Sequence, residues 1–133
     1  MESDKLYKIL FYAGSGWNFV MSIGVFFFIG SLPSMIGIEP PRYPIFIYFN
    51  LMSVFFFGCI QWIIASDLHG HRSFVKMLVW AKLAMAAVLL YSILRDAPAK
   101  ELVGFLAPGV AVDVLFGLVF WRFLVFSGRK VAH

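Results

Sequence analysis

The amino-acid sequence predicts an all-α integral membrane protein, a four-helix up-down-up-down bundle in a single domain over residues 1–133. Three observations lead there. Hydrophobic residues make up 62% of the 133-residue chain and charged residues only 14%, against roughly 45–50% and about 25% in soluble domains. A soluble chain of this length has too little interior to hide so much apolar surface. The apolar residues also gather into four runs of about 20, the length that crosses a hydrocarbon core of about 30 Å as a helix. Finally, these runs are apolar all round, without a polar face.

Span one is expected over about residues 9–29, closed by Gly30, Ser31, Pro33 and Ser34. Lys5 and Lys8 precede it, the order found in secretory signals. The apolar stretch continues to about Leu32, beyond an ordinary signal core, and no small-x-small site closes it. It therefore reads as an uncleaved span. Pro40, Pro41 and Pro44 mark a loop, and span two follows over about residues 45–65. The polar segment Ser66–Ser73 leads into span three, about residues 74–94. Arg95, Asp96 and Pro98 end that span. Span four covers about residues 102–126, with Pro108 and Gly109 near its start and Gly128, Arg129 and Lys130 at its end. Helices rather than barrel strands are predicted. Lipid offers no partner to free backbone groups, and runs such as Phe26-Phe27-Phe28 and Phe55-Phe56-Phe57 do not alternate as barrel strands do. Short connections make consecutive spans antiparallel neighbours. Phe57-Gly58-x-x-x-Trp62 in span two returns as Phe116-Gly117-x-x-x-Trp121 in span four, the pattern a duplicated helix pair would leave.

The net charge of +4 belongs to the span ends, where Lys and Arg meet anionic headgroups. No basic stretch is interleaved with aromatics on a polar surface, so nucleic acid is not a partner; membrane lipids are. Lys5, Lys8, Arg72, Lys76, Arg129 and Lys130 collect on one side, and Arg42, Arg95 and Lys100 on the other. By the positive-inside rule the richer side, with both termini, faces the cytoplasm. Arg122 lies near the inner end of span four, within reach of headgroup phosphate. Cys59 stands alone, so disulfide and CxxC chemistry are excluded within the chain.

Ionisable groups inside spans are expensive and usually face a bundle interior. Lys82 and Asp113 are two such groups here, joined by the polar Asn18, Asn50, Ser53 and Gln61. Lys82 lies about 12 Å from the inner end of its span and Asp113 about 15 Å from the outer end of its own. Helical side chains lean toward the helix N-terminus, Lys82 inward and Asp113 outward, so a pair requires the long Lys stem to turn back. The alternatives are a Lys82 that snorkels to the headgroups and a neutral Asp113 bonded to Asn18 or Asn50. Asn18, Asn50, Lys82 and Asp113 are the candidate ligand or ion residues.

Asp67-x-His69-x-His71 looks at first like a metal site, but closed zinc sites need four ligands. His133 would complete the set only if the tail folded back. The segment reads as a solvated, headgroup-facing loop, with no metal and no cofactor assigned. The spans contain no histidine for a haem, and three histidines are too few for a membrane di-iron oxygenase. Trp17, Trp62, Trp80 and Trp121 fall toward the cytoplasmic half, as interfacial tryptophans do; a flat ligand such as a quinone could also use them as a wall. Gly14, Gly16 and Gly24 in span one, and Ala81, Ala84, Ala86 and Ala87 in span three, are expected where helices approach closely. No nucleophile with a base, phosphate loop or intramembrane carboxylate pair supports an enzyme.

Asn18, Tyr43-Pro44 before span two, Asp67 after it, Lys82 in span three, and Asp113 with Phe116 in span four together resemble small bacterial four-span membrane proteins of the DoxX-like kind. The resemblance covers most of the chain and implies its fold and a bacterial inner membrane. In those relatives Gly precedes the Lys, whereas Ala81 stands here. It carries no settled activity. Three functions are therefore expected in order: a non-catalytic accessory subunit or lipophilic-ligand-binding bundle, alone or in a larger complex or homo-oligomer; a small oligomeric proton- or ion-coupled transporter or channel; and a quinone-contacting oxidoreductase subunit.

Overall fold

The computed structural model describes residues 2–96 and 100–131; His133 lies outside them. Among the described residues the chain forms five α-helices and no strand. These are α1 (Glu2–Phe28), α2 (Leu32–Ile36), α3 (Ile45–Ser66), α4 (Arg72–Asp96) and α5 (Lys100–Val131). Four of them, α1, α3, α4 and α5, are long and apolar enough to cross a membrane. The chain is thus all-α and multi-pass.

The helix ends follow local chemistry. α3 begins directly after Pro44, whose φ of −60° already suits a helix. α1 starts well before its apolar run, because the polar residues that precede Ile9 continue the helix. α5 likewise outruns its predicted span at both ends and keeps Pro108 inside it. Pro33 and Ser34, expected with Gly30 and Ser31 to end the first span, instead fall within the short α2, Leu32-Pro33-Ser34-Met35-Ile36. Pro33 sits in its first turn, where a missing N–H is harmless, and Gly37 closes it at φ 73°.

The chain divides into two compact units, one ending at His71 and one beginning at Arg72. Each is a helical hairpin: α1 packs on α3, and α4 on α5. In the first, Tyr12 meets Trp62 edge-on, Phe19 tilts against Phe55 and Phe26 against Tyr48. Residue numbers fall along α3 as they rise along α1, so the pair is antiparallel. In the second, Arg72 reaches Leu124 and Ser127 while Lys82 reaches Asp113, which is again antiparallel.

Burial runs in narrow seams at three- and four-residue steps, the spacing of packed membrane helices. α1 buries Tyr7, Phe11, Ser15, Asn18 and Ser22; α3 buries Gly58, Gln61, Ala65 and Ile64. α4 buries Val75, Leu78, Val79, Lys82 and Ala86, and α5 buries Phe120, Phe123 and Ser127. In each hairpin the seam occupies the half nearer the end of α3 and the start of α4. Asn50 lies beyond it and is exposed, contrary to its expected interior place. The N-terminal half of α3 has no buried position to receive it.

Small residues meet the expectation in part: Gly14 and Ala86 are buried, while others of the set are not. A side chain at Gly16 or Gly24 would meet open space, and Ala84 and Ala87 are exposed. The close approaches occur at Gly58 and Gly117. A Cβ on Gly58 would lie 2.8 Å from the Phe19 ring and 3.3 Å from Asn18 Cβ; on Gly117 it would lie 3.3 Å from Leu83 and 3.7 Å from Lys82 Cβ. Both glycines of the sequence echo lie against the preceding long helix, Gly58 at Phe19 and Asn18 and Gly117 at Leu83.

Candidate functional site

In the second hairpin, Lys82 and Asp113 meet beside Gly117, whose close neighbour on α4 is Leu83. A Cβ at position 117 would make only an ordinary contact, 3.7 Å, with the base of the Lys82 side chain. Asp113 lies one helical turn before Gly117 in α5, about 6 Å away. The Lys82 stem rises over the glycine and its Nζ donates to Asp113 Oδ1 at 2.5 Å. The ammonium therefore turns back rather than snorkelling. The Lys82 side chain is 8% exposed and that of Asp113 21%, so the carboxylate keeps limited access to its surroundings. Arg72 holds the same hairpin at the start of α4: Nε donates to Ser127 Oγ at 3.1 Å and Nη2 to the Leu124 carbonyl at 3.0 Å. Those carbonyls and hydroxyls near the end of a helix welcome a cation. This contact joins residues far apart in sequence, and single-residue inspection missed it.

The first hairpin carries an uncharged polar seam. Ser15 Oγ donates across to the Gly58 carbonyl at 2.8 Å, a bond possible only where the glycine brings the two backbones together. Ser22 Oγ donates back to the Asn18 carbonyl at 2.7 Å. Gln61 is fully buried, and neither atom of its amide has a hydrogen-bond partner among the described residues. Asn18 sits beside Gly58, as its interior place in span one predicts. Ser15 and Ser22 were overlooked, yet their steps of three and four from Asn18 were there to be read. Ser53 bonds only its own helix, at the Phe49 carbonyl.

Beyond that seam, α1 and α3 leave a groove of about 420 Å³ lined by Phe26, Phe27, Tyr48, Met52 and Phe55, with Ser22 and Ile23 on the α1 side. Its size falls in the range of small-molecule sites, and its lining is aromatic and apolar. Phe26, Phe27, Phe55 and Tyr48 are all exposed, so the groove opens onto whatever surrounds the hairpin.

The Asp67–His71 segment forms a closed turn. Asp67 Oδ1 accepts the Gly70 N–H at 3.0 Å, and the Asp67 carbonyl faces both the His71 N–H at 3.3 Å and His71 Nδ1 at 2.9 Å. His69 instead points to Asp4, with Nε2 3.6 Å from its carboxylate. The two histidines thus turn to different partners, and among the described residues no group of three or more His, Cys, Asp or Glu is placed to hold a metal ion. The Gly70 N–H holds the Asp67 carboxyl below the usual carboxylate range against an opposing effect of burial, with lesser help from His71 and His69.

Comparison with protein-family models, with curated proteins and with solved structures finds no match to this chain.

Proposed function

We propose that this chain is a non-catalytic membrane protein that binds a lipophilic molecule in the α1–α3 groove. The observation that carries the reading is the groove itself: four aromatic rings around about 420 Å³, open on the apolar surface of a membrane-spanning hairpin. Rigid rings lose little conformational freedom when a flat or branched hydrocarbon seats among them, which favours binding over ordinary lipid contact. Lys82 and Asp113 belong to the other hairpin, which they hold together. The orientation that accompanies this reading has both termini in the cytoplasm of a bacterial inner membrane. Its support is the cluster of Lys5, Lys8, Arg72, Lys76, Arg129 and Lys130. A periplasm-active phosphatase fused after the last residue should stay inactive; activity would reverse the orientation.

The test of binding is to purify the chain in mild detergent, extract it with organic solvent and identify retained apolar molecules by mass spectrometry. A near-stoichiometric species is expected, and Phe26→Ala with Phe55→Ala should lower its retention about tenfold, as loss of two aromatic contacts at roughly 0.7 kcal/mol each predicts. Equal retention in both proteins would sink the proposal. Co-purification with a second protein instead would make the groove a subunit interface. A proton-coupled role is the second reading, favoured by the partial exposure of Asp113 beside a cation. For it, Asp113→Asn should abolish pH-driven flux in liposomes while the protein still folds; undiminished flux would remove it.

A further inference from the structure

The second hairpin has a groove of its own, built from different chemistry. Between α4 and α5 lies a space of about 280 Å³ lined by Lys76, Val79, Trp80, Trp121, Leu124 and Val125. Lys76 and Trp80 are one turn apart on α4, and Trp121 and Val125 one turn apart on α5. Because the helices are antiparallel, the ammonium lies toward the inner end of the groove and the two indoles lie deeper. Trp80 is 67% exposed and Trp121 50%.

Depth places this groove at a headgroup boundary. Lys76 and Arg95 mark opposite ends of α4, nineteen residues and about 28 Å apart, close to the thickness of a hydrocarbon core. Arg95 caps one end beside Tyr91, its guanidinium carbon 5.7 Å from the ring centre. Lys76 caps the other beside the tryptophans, at the level where lipid phosphates lie.

The charges are arranged in one direction. The acidic residues from Arg72 onward are Asp96 and Glu101 near the opposite end, and Asp113, already bonded to Lys82. Near the groove stand Arg72, Lys76 and Arg122, with Arg129 and Lys130 following in the sequence. Arg72 is engaged by Ser127 and Leu124. Lys76 makes no ion pair among the described residues, and its ammonium is the cation that lines the groove.

We propose that this groove binds one anionic phospholipid, with the phosphate on Lys76 near the level of Val125, the glycerol and ester region between Trp80 and Trp121, and the acyl chains continuing past the indoles toward the middle of the hairpin. Indole rings suit that ester level because they are apolar in body and carry an N–H. A zwitterionic lipid offers the same tail but brings its own cation toward Lys76 and Arg122. The site is distinct from the α1–α3 groove and does not depend on the ligand proposed there.

The test uses the full chain in mixed micelles containing equal phosphatidylglycerol and phosphatidylcholine, with bound lipid counted by native mass spectrometry. Phosphatidylglycerol should be retained in preference, and Lys76→Gln should lower that preference about fivefold, the effect of one cation at an anionic surface. Lys76→Arg should keep it. Val125→Trp fills the groove without changing charge and should release the lipid as well. Equal retention of both lipids by the unaltered protein would overturn the proposal. So would a Val125→Trp protein that still holds phosphatidylglycerol, since surface charge alone would then explain the binding. Displacement of the lipid by millimolar inorganic phosphate would overturn it too, reassigning Lys76 to free phosphate.

Discussion

Lys82 and Asp113 each bring an ionisable group into a helix of hydrocarbon-spanning length, and each makes the other tolerable. Removing one partner leaves the other without its counter-charge in a medium of low dielectric. Asp113→Asn should therefore destabilise the folded protein by about 3 kcal/mol. The exchange Lys82→Asp with Asp113→Lys should recover part of that loss. Thermal unfolding in mild detergent measures both, and a doubly exchanged protein no more stable than the worse single variant would refute the pairing. Asp67 gives a prediction in pH. Its carboxyl is held below its ordinary value of 3.8 by the Gly70 N–H. The turn is therefore fully supported above that value and loses support as pH falls through the lower, folded value. Hydrogen exchange at the Gly70 amide should quicken as pH drops below about 4, relative to Asp67→Asn, which should show no such dependence. Parallel behaviour in the two proteins would mean that the carboxylate does not hold the turn. At this scale the sequence identified Lys82, Asp113 and Asn18 as interior because charge and amide groups in hydrocarbon have few other places to go. It misplaced Asn50, since interior rank depends on whether a neighbouring helix is packed at that depth, which composition does not record.

At the scale of single helices, glycine separates contact from mere smallness. An added methyl at Gly58 would collide with the Phe19 ring, which cannot swing away without leaving Phe55, 5.1 Å distant between centroids. It would also push α3 from Ser15 and stretch the bond at the Gly58 carbonyl. Gly58→Ala should destabilise by about 1–2 kcal/mol, the usual effect of overpacking. Gly24→Ala meets open space and should stabilise by up to about 1 kcal/mol, because alanine favours a helix. The two melting temperatures in one detergent should move in opposite directions; a shared direction would disprove the close approach. Both glycines look alike in the sequence. What distinguished Gly58 was its recurrence with a tryptophan four residues on, matched by Gly117 and Trp121. The short α2 was hidden because proline and glycine signal a chain break equally well whether the residues between them coil or complete one helical turn.

Over the whole chain, the four spans were legible because apolar length is so direct a signal, and α3 begins and ends almost where its run does. Short connections account for the antiparallel runs of α1 with α3 and of α4 with α5, but not for the division into two hairpins, because they would equally make α3 and α4 neighbours. The grooves were not legible, since each needs side chains from two helices whose facing sides appear only after packing. The ion pair also has a consequence for biosynthesis. A ribosome delivers α4 before α5, so for a time Lys82 stands without Asp113. Moving such a lysine into lipid costs about 3 kcal/mol at the centre of a span. The nascent α4 should consequently linger beside the insertion channel and leave it together with α5, as a neutralised couple. Stalled chains that stop short of Asp113 should crosslink to the channel through α4, and longer chains should not. With Lys82→Leu, both lengths should escape. Equal crosslinking of short and long natural chains would show that α4 is released without waiting.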